Sequence, residues 1–181
     1  MQINGRRLDV LVSRAASDTG VPAELLYAMV EAASGGEAEH VGATGELGLL
    51  QLAPSAFPGC PATELLDPAN NLCWGARMLL DLARVFRREE ESVRWRCALA
   101  AFHSGLGYVV QAQALAVARG QDAHEWRVLR ALLPEARHYR DGCWSRLDPV
   151  ATLNYVETVW QRYHARRPMG TLPGGAAVVA C

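Results

Sequence analysis

The chain has no lysine. All 18 residues of the Lys/Arg class are Arg, and they face 19 Asp and Glu for a formal net charge of −1. So even a balance builds no field to draw in a polyanion, which excludes nucleic acid and an anionic membrane surface as expected partners. The missing lysine by itself points to no function. Long apolar runs are also absent: nothing approaches the ~20 residues of a membrane span, and the opening MQINGRRLDVLVSRAAS holds no core of a secretion signal. The expectation is therefore cytoplasmic synthesis, no membrane insertion, and delivery by another agent to any target beyond the membrane. Cys-x-x-Cys pairs are lacking too. The five cysteines (Cys60, Cys73, Cys97, Cys143, Cys181) are irregularly spaced, and His40, His124 and His138 stand at no ligand spacing with them or with each other, so no metal site and no cofactor are expected. The cysteines read as small buried side chains plus a tail thiol, with a Cys60–Cys73 bridge as the alternative.

What is present is helix-forming and globular. Half of the 181 residues are hydrophobic and a fifth are charged, enough for one domain with one core. We place that domain at 1–168, expect it to be monomeric, and read the Gly- and Pro-rich stretch 169–181 as a loose tail. Apolar residues recurring every three or four positions predict helices over 6–17, 22–33, 69–88, 92–103, 108–119, 123–133 and 149–166. Pro22 suits a first turn, Ser92 a cap, and Gly35-Gly36 a helix end. Strands are nearly absent, with at most a small hairpin in the loop 36–48, where Thr44-Gly45 signals a turn. The Trp residues at 74, 95, 126, 144 and 160 fall mostly at core spacing; Trp144, near Tyr139, could alternatively stack on a sugar.

The most informative stretch is 30–52, VEAASGGEAEHVGATGELGLLQL. A helix ends at Ala33-Ser34-Gly35-Gly36, and an apolar segment, Gly48-Leu49-Leu50-Gln51-Leu52, follows a short loop. Three further blocks come after it in order. They are Leu66-Asp67-Pro68 with Asn70-Asn71-Leu72 and Gly75-Ala76-Arg77-Met78-Leu79, then Ala98-Leu99-Ala100-Ala101-Phe102-His103-Ser104-Gly105, and finally the weaker Asn154-Tyr155-Val156. Together, from about Thr19 to His164, they resemble the lytic transglycosylases and goose-type lysozymes. In that family a helix ends in Glu-Ser-Gly, a Gly-Leu-Met-Gln segment packs beside it, and a later helix reads Ala-Leu-Ala-Ala-Tyr-Asn-Ala-Gly.

The resemblance implies a mainly α, lysozyme-like single domain. It also implies an enzyme acting on the glycan strands of peptidoglycan, cleaving the β-1,4 bond between N-acetylmuramic acid and N-acetylglucosamine. A single glutamate would protonate the leaving oxygen and then, as base, help close an anhydro ring. Such an acid needs an apolar setting to hold its proton at neutral pH, and a helix end under the segment 47–52 would provide one. The chain departs from the pattern at the decisive place: Ala33 occupies the glutamate position. Three explanations stand at this point: an engineered Glu-to-Ala change, a natural non-catalytic glycan-binding or assembly module, or a slipped register with Glu37 as the acid. In each of the first two the chain as written is expected to be close to inactive.

Around position 33 the candidates for sugar contact are Ser34, Glu46, Gln51, His103 and Tyr155. Ser34 either caps locally or bonds a carboxylate at 33. Glu46, where the family often has Ala, is an exposed loop residue or a second cleft carboxylate able to position water or sugar. Gln51 closes an apolar run, where an amide must be hydrogen-bonded; by resemblance it lines the cleft. His103 and Phe102 replace the family's Asn and Tyr. Tyr155 matches a cleft tyrosine by position, with a core aromatic as the plain reading. Glu31, two residues from Ala33, points nearly the opposite way and reads as a surface charge. A compact domain without an apolar leader suits a phage endolysin, or a wall-remodelling subunit carried by a secretion apparatus.

Overall fold

The computed structural model describes residues 2–3, 6–140, 143–146 and 148–167. The expectations for the tail 169–181 with Cys181, and for the side chains of His138, Cys143 and Trp144, lie outside that range. Within it the chain is mainly helical: α1 Leu8–Thr19, α2 Ala23–Ala33, α3 Ala62–Leu66, α4 Pro68–Val85, α5 Glu91–Ser104, α6 Leu106–Ala118, α7 Trp126–Leu132 and α8 Pro149–Arg166, with single 3-10 turns at Pro54–Ala56 and Leu133–Glu135. Two antiparallel ribbons complete it. One pairs β1 (Gln2–Ile3) with β2 (Arg6–Arg7), and the other pairs β3 (Arg137–Arg140) with β4 (Cys143–Arg146), setting Tyr139 across from Trp144.

Local chemistry accounts for the boundaries. Gly20 takes φ 77° and closes α1 in the left-handed conformation. Asp67 caps α4 by accepting from the N–H groups of Ala69 and Asn70, both at 3.0 Å, with Pro68 in the first turn. Asp148 and Pro149 repeat that device at α8, where Asp148 accepts from Ala151 N–H at 2.9 Å. Two expectations are corrected here, and one alternative falls. α4 stops at Val85 instead of 88, because the chain turns at Phe86 and the Glu89 N–H bonds the Phe86 carbonyl. α5 starts at Glu91, ahead of Ser92, and no side chain caps it. Cys60 and Cys73 are free thiols and form no bridge: Cys60 leans on Pro61 and Glu64, whereas Cys73 faces a recess shared with Leu11 and Arg14.

α5 runs through the middle of the molecule, against α4, α6, α7 and α8. That placement explains why it has no clear apolar stripe. Cys97 through Ala101 are all buried, and small side chains let the neighbouring helices come close. α2 packs along α8, and α1 along α4. Leu25, Leu26, Met29, Leu72, Leu79, Leu99 and Val156 fill the centre. Trp95, Trp126 and Trp160 are core residues as expected, while Trp74 is half-buried and stacks on Phe57.

Candidate active site

Ala33 is the last residue of α2. The next residue, Ser34, turns inward. Its hydroxyl donates to the Leu49 carbonyl at 2.9 Å and accepts from the Gly36 N–H at 3.1 Å. Ser34 is thus a buried tie between the helix end and the apolar segment, and it is not among the residues lining the cavity described below. Gly35 and Gly36, at φ 62° and 92°, make the reversal that a side chain there would strain.

The segment 47–52 folds back on itself, with Leu47 and Leu52 exchanging both backbone bonds at 2.9 and 3.0 Å. A residue the sequence reading had quoted only as part of a block holds it in place. Asn71, fully buried on α4, accepts from Leu50 N–H at 2.8 Å and donates to the carbonyls of Leu47 at 2.9 Å and Leu65 at 2.7 Å. Gly48 takes φ 76°, and a Cβ there would sit 2.4 Å from the Asn71 amide, so this close approach requires glycine. Gln51 itself is at φ 52°, the left-handed region in which a side chain is costly. Its amide NH₂ compensates locally by donating to the carbonyls of Gly48 at 2.8 Å and His40 at 3.1 Å.

These elements wall a cavity of about 630 Å³. Ala33, Glu46, Gln51, His103 and Tyr155 all line it, together with Asp148 and apolar groups such as Leu50, Met78 and Phe102. Five of the six sequence-predicted positions therefore meet at one place although they come from four parts of the chain. On the loop side, the Thr44 hydroxyl donates to Glu46 Oε1. That bond, with a smaller contribution from His103, holds the Glu46 carboxyl below the usual carboxylate range. Across the cavity the His103 ring lies 4.9 Å from the Tyr155 ring, and its Nδ1 is hydrogen-bonded to Thr152 Oγ1 at 3.1 Å. Burial pushes the His103 imidazole down from its ordinary value, against an opposing pull from Asp148 and Glu46. The Tyr155 hydroxyl oxygen is buried with no hydrogen-bond partner among the described residues, and burial raises its pKa well above the ordinary phenol.

Neither alternative carboxylate reaches this space. Glu31 is on the far side of α2 and is held by Arg166 and, at 3.9 Å, by Arg162 of α8. Glu37 is exposed and pairs with His40 at 3.4 Å. Sequence reasoning missed Asp148, Thr152 and Thr44. The repeated Asp-Pro pair at 67–68 and 148–149 was the available signal for the first, since it marks a second capped helix start. Among the described residues no three His, Cys, Asp or Glu converge as metal ligands, and no helix is long and apolar enough to cross a membrane.

Comparison with known proteins converges on the same architecture. The family model of the transglycosylase SLT domain matches residues 10–124. A membrane-bound lytic murein transglycosylase F 2 from Alkalilimnicola ehrlichii is 30% identical over 161 residues, 83% of this chain and 36% of that protein. A membrane-bound lytic murein transglycosylase F from Desulfosudis oleivorans is 27% identical over 161 residues, 87% of this chain and 36% of its own length. Among solved structures, the 70 kDa soluble lytic transglycosylase from Escherichia coli aligns with a TM-score of 0.63 at 19% identity, over 86% of this chain and 23% of that one. An inactive mutant of lytic transglycosylase Slt from Pseudomonas aeruginosa aligns with a TM-score of 0.63 at 21% identity, over 90% and 25%. The chain spans about a third of the length of the curated relatives it matches. With a family model covering most of the helical body, and a mainly α lysozyme-like fold shared with the solved structures, the chain belongs to the transglycosylase SLT domain family.

Proposed function

We propose that the cavity beside Ala33 is a cleft for peptidoglycan glycan strands, and that it is catalytically silent because position 33 carries no carboxylate. The observation that carries this reading is the meeting of Ala33, Glu46, Gln51, His103 and Tyr155 at one cavity, Tyr155 with an enclosed hydroxyl. A buried phenol without a partner forfeits a hydrogen bond at a cost of roughly 1–3 kcal/mol, and native proteins rarely leave one. Tyr155 lines the same cavity as Ala33, and its hydroxyl is enclosed without a partner among the described residues, as are Trp95 Nε1 and Arg96 Nε. The remaining titratable groups do not replace that acid. Glu46 is biased toward its ionised form and His103 toward its neutral form, so neither shift creates a proton donor for a glycosidic oxygen at neutral pH.

On this reading a carboxylate at 33 would be flanked by Leu50, Leu52 and Phe102. That dry setting raises its pKa and lets it act first as acid and then as base on the β-1,4 bond between N-acetylmuramic acid and N-acetylglucosamine. The relatives' names speak of murein, and we extend that substrate to this chain. The test is Ala33→Glu. Purified wall suspensions should clear with the variant and not with the parent, and mass spectrometry of released fragments should show anhydro ends. Failure of the variant to clear walls, with glycan binding retained by both forms, would favour the second reading: a natural glycan-binding or assembly module, for which the absent carboxylate is itself the supporting observation. The setting of a phage endolysin is part of the same proposal. Adding the Ala33→Glu protein to cells with a permeabilised membrane should lyse them, whereas the parent should not.

A further inference from the structure

α4 carries two apolar stripes, and only one of them faces the core. Leu72, Ala76, Leu79 and Ala83 are buried. Trp74, Met78, Leu82 and Val85, spaced by four, four and three, lie together on another side of the helix. They line a groove of about 500 Å³, closed by Phe57 and by Leu106 at the start of α6. The rings of Phe57 and Trp74 stack there with centroids 5.9 Å apart, and Val85 is 50% exposed. An apolar hollow left open to water marks a surface that meets something else. Ala56 and Met78 line this groove and the cavity beside Ala33 alike, so the groove is a side arm of that cavity. Two charged side chains stand in it. Asp81 is held by Arg84 at 2.9 Å. Arg77 is exposed and makes no ion pair, side-chain hydrogen bond or ring contact among the described residues. The arm therefore offers apolar surface and one uncommitted cation.

Resting on the glycan-cleft reading above, we propose that this side arm receives the peptide branch of a muramic acid residue seated in the cleft. Arg77 pairs with a carboxylate of the branch, and the stripe from Trp74 to Val85 covers its methyl groups. Muramic acid is the sugar of this glycan that bears a lactyl ether, and the peptide extending from it combines small apolar side chains with free carboxylates. A guanidinium meets a carboxylate through two parallel, charge-assisted N–H bonds. The methyl groups gain by leaving water against an apolar wall. A further sugar ring is the poorer match. Its hydroxyls need polar partners on the walls, and the one carboxylate in the arm is already taken by Arg84. A strand stripped of its peptides would fill the cavity and leave the arm empty.

The experiment is titration calorimetry of the chain with two glycan oligomers of equal length, one carrying its peptide branches and one from which an amidase has removed them. Arg77→Gln removes the cation, and Val85→Glu sets a negative charge in the arm. Both positions are exposed and neither lines the cavity; the fold of each variant is checked by circular dichroism and thermal melting. The expected result is about tenfold tighter binding of the branched oligomer by the parent. Both variants should lose that preference while their affinity for the stripped oligomer holds. Equal or tighter binding of the stripped oligomer by the parent, or a preference kept in either variant, overturns the proposal and leaves the cleft reading intact. So does a loss of stripped-oligomer affinity in the variants that matches their loss for the branched one, since the arm would then hold sugar. Failure of the parent to bind either oligomer sinks the cleft reading, and this proposal with it.

Discussion

Two buried polar groups in this protein are treated in opposite ways. Glu89, at the turn between α4 and α5, has a side chain only 5% exposed, yet every available group nearby serves it. His124 lies 2.8 Å from Oε2, and the Gln113 amide donates to Oε1 at 3.2 Å. Tyr155, on the cavity wall, has its hydroxyl just as deeply enclosed and nothing serves it. An unmet polar group in a low-dielectric interior is costly, and among the described residues Trp95 Nε1 and Arg96 Nε share that state with Tyr155. The corner around Glu89 is a finished piece of architecture. On the proposed reading, the cavity wall is the place a carboxylate at the end of α2 would complete.

Supplying that carboxylate is the strongest way to break the contrast. Ala33→Glu should raise the rate of wall cleavage about a hundred- to ten-thousand-fold over the parent, measured as loss of turbidity. Next in size is removal of the support beneath the site. Asn71→Ala leaves the Leu50 N–H and the Leu47 and Leu65 carbonyls unmet, and should cost about 3 kcal/mol of unfolding free energy by denaturant titration. Tyr155→Phe separates the two kinds of burial directly. In the parent it deletes an orphaned hydroxyl and should leave stability unchanged or raise it by up to about 1 kcal/mol. In the Ala33→Glu background the same change should cost about tenfold in activity, since the hydroxyl then has a charged acceptor to lose.

The smallest effect sharpens the other half of the comparison. Glu89 raises the pKa of His124, chiefly through their hydrogen bond. A histidine whose pKa is higher folded than unfolded stabilises below its unfolded value, near 6.5, and that contribution fades as pH rises through the folded value. His124→Gln should therefore lower the denaturation midpoint at pH 5 and leave it unchanged at pH 9. His103, lowered by burial, behaves with the reverse sign: its contribution is present above its unfolded value and is lost as pH falls toward the folded one.

Much of this was legible in the residues. The helix end at Ala33, the caps at Asp67 and Gly20, and the inward faces of α1 and α4 follow from local rules that need only a few neighbouring positions. The family pattern placed Gln51, His103 and Tyr155 around one point before any geometry was available. Legibility failed where the cause was non-local. α5 shows no stripe because helices surround it, so periodicity points to Trp95, Leu99 and Phe102 as inward and passes over Ala98 and Ala100, which are fully enclosed while Phe102 is only half-buried. For Ser34 the local cap was legible, and its hydroxyl accepts from the Gly36 N–H, but nothing in sequence reveals that the Leu49 carbonyl waits 2.9 Å from that hydroxyl. Asn71 looked like one polar residue on a helix until the segment 47–52 arrived to use all its hydrogen-bonding groups.

Sequence alone determined where most of the helices lie, though not every end, and that position 33 bears a methyl group where the family pattern reads glutamate. Those are properties of single residues and short spacings. Tertiary structure alone decided that Glu46, Gln51, His103 and Tyr155 line one cavity with Ala33, that the Tyr155 hydroxyl is enclosed without a partner among the described residues, and that Glu31 and Glu37 lie outside the cavity. Each depends on distances between segments that only the packed core brings together, and through-space chemistry has no counterpart in the order of residues along the chain.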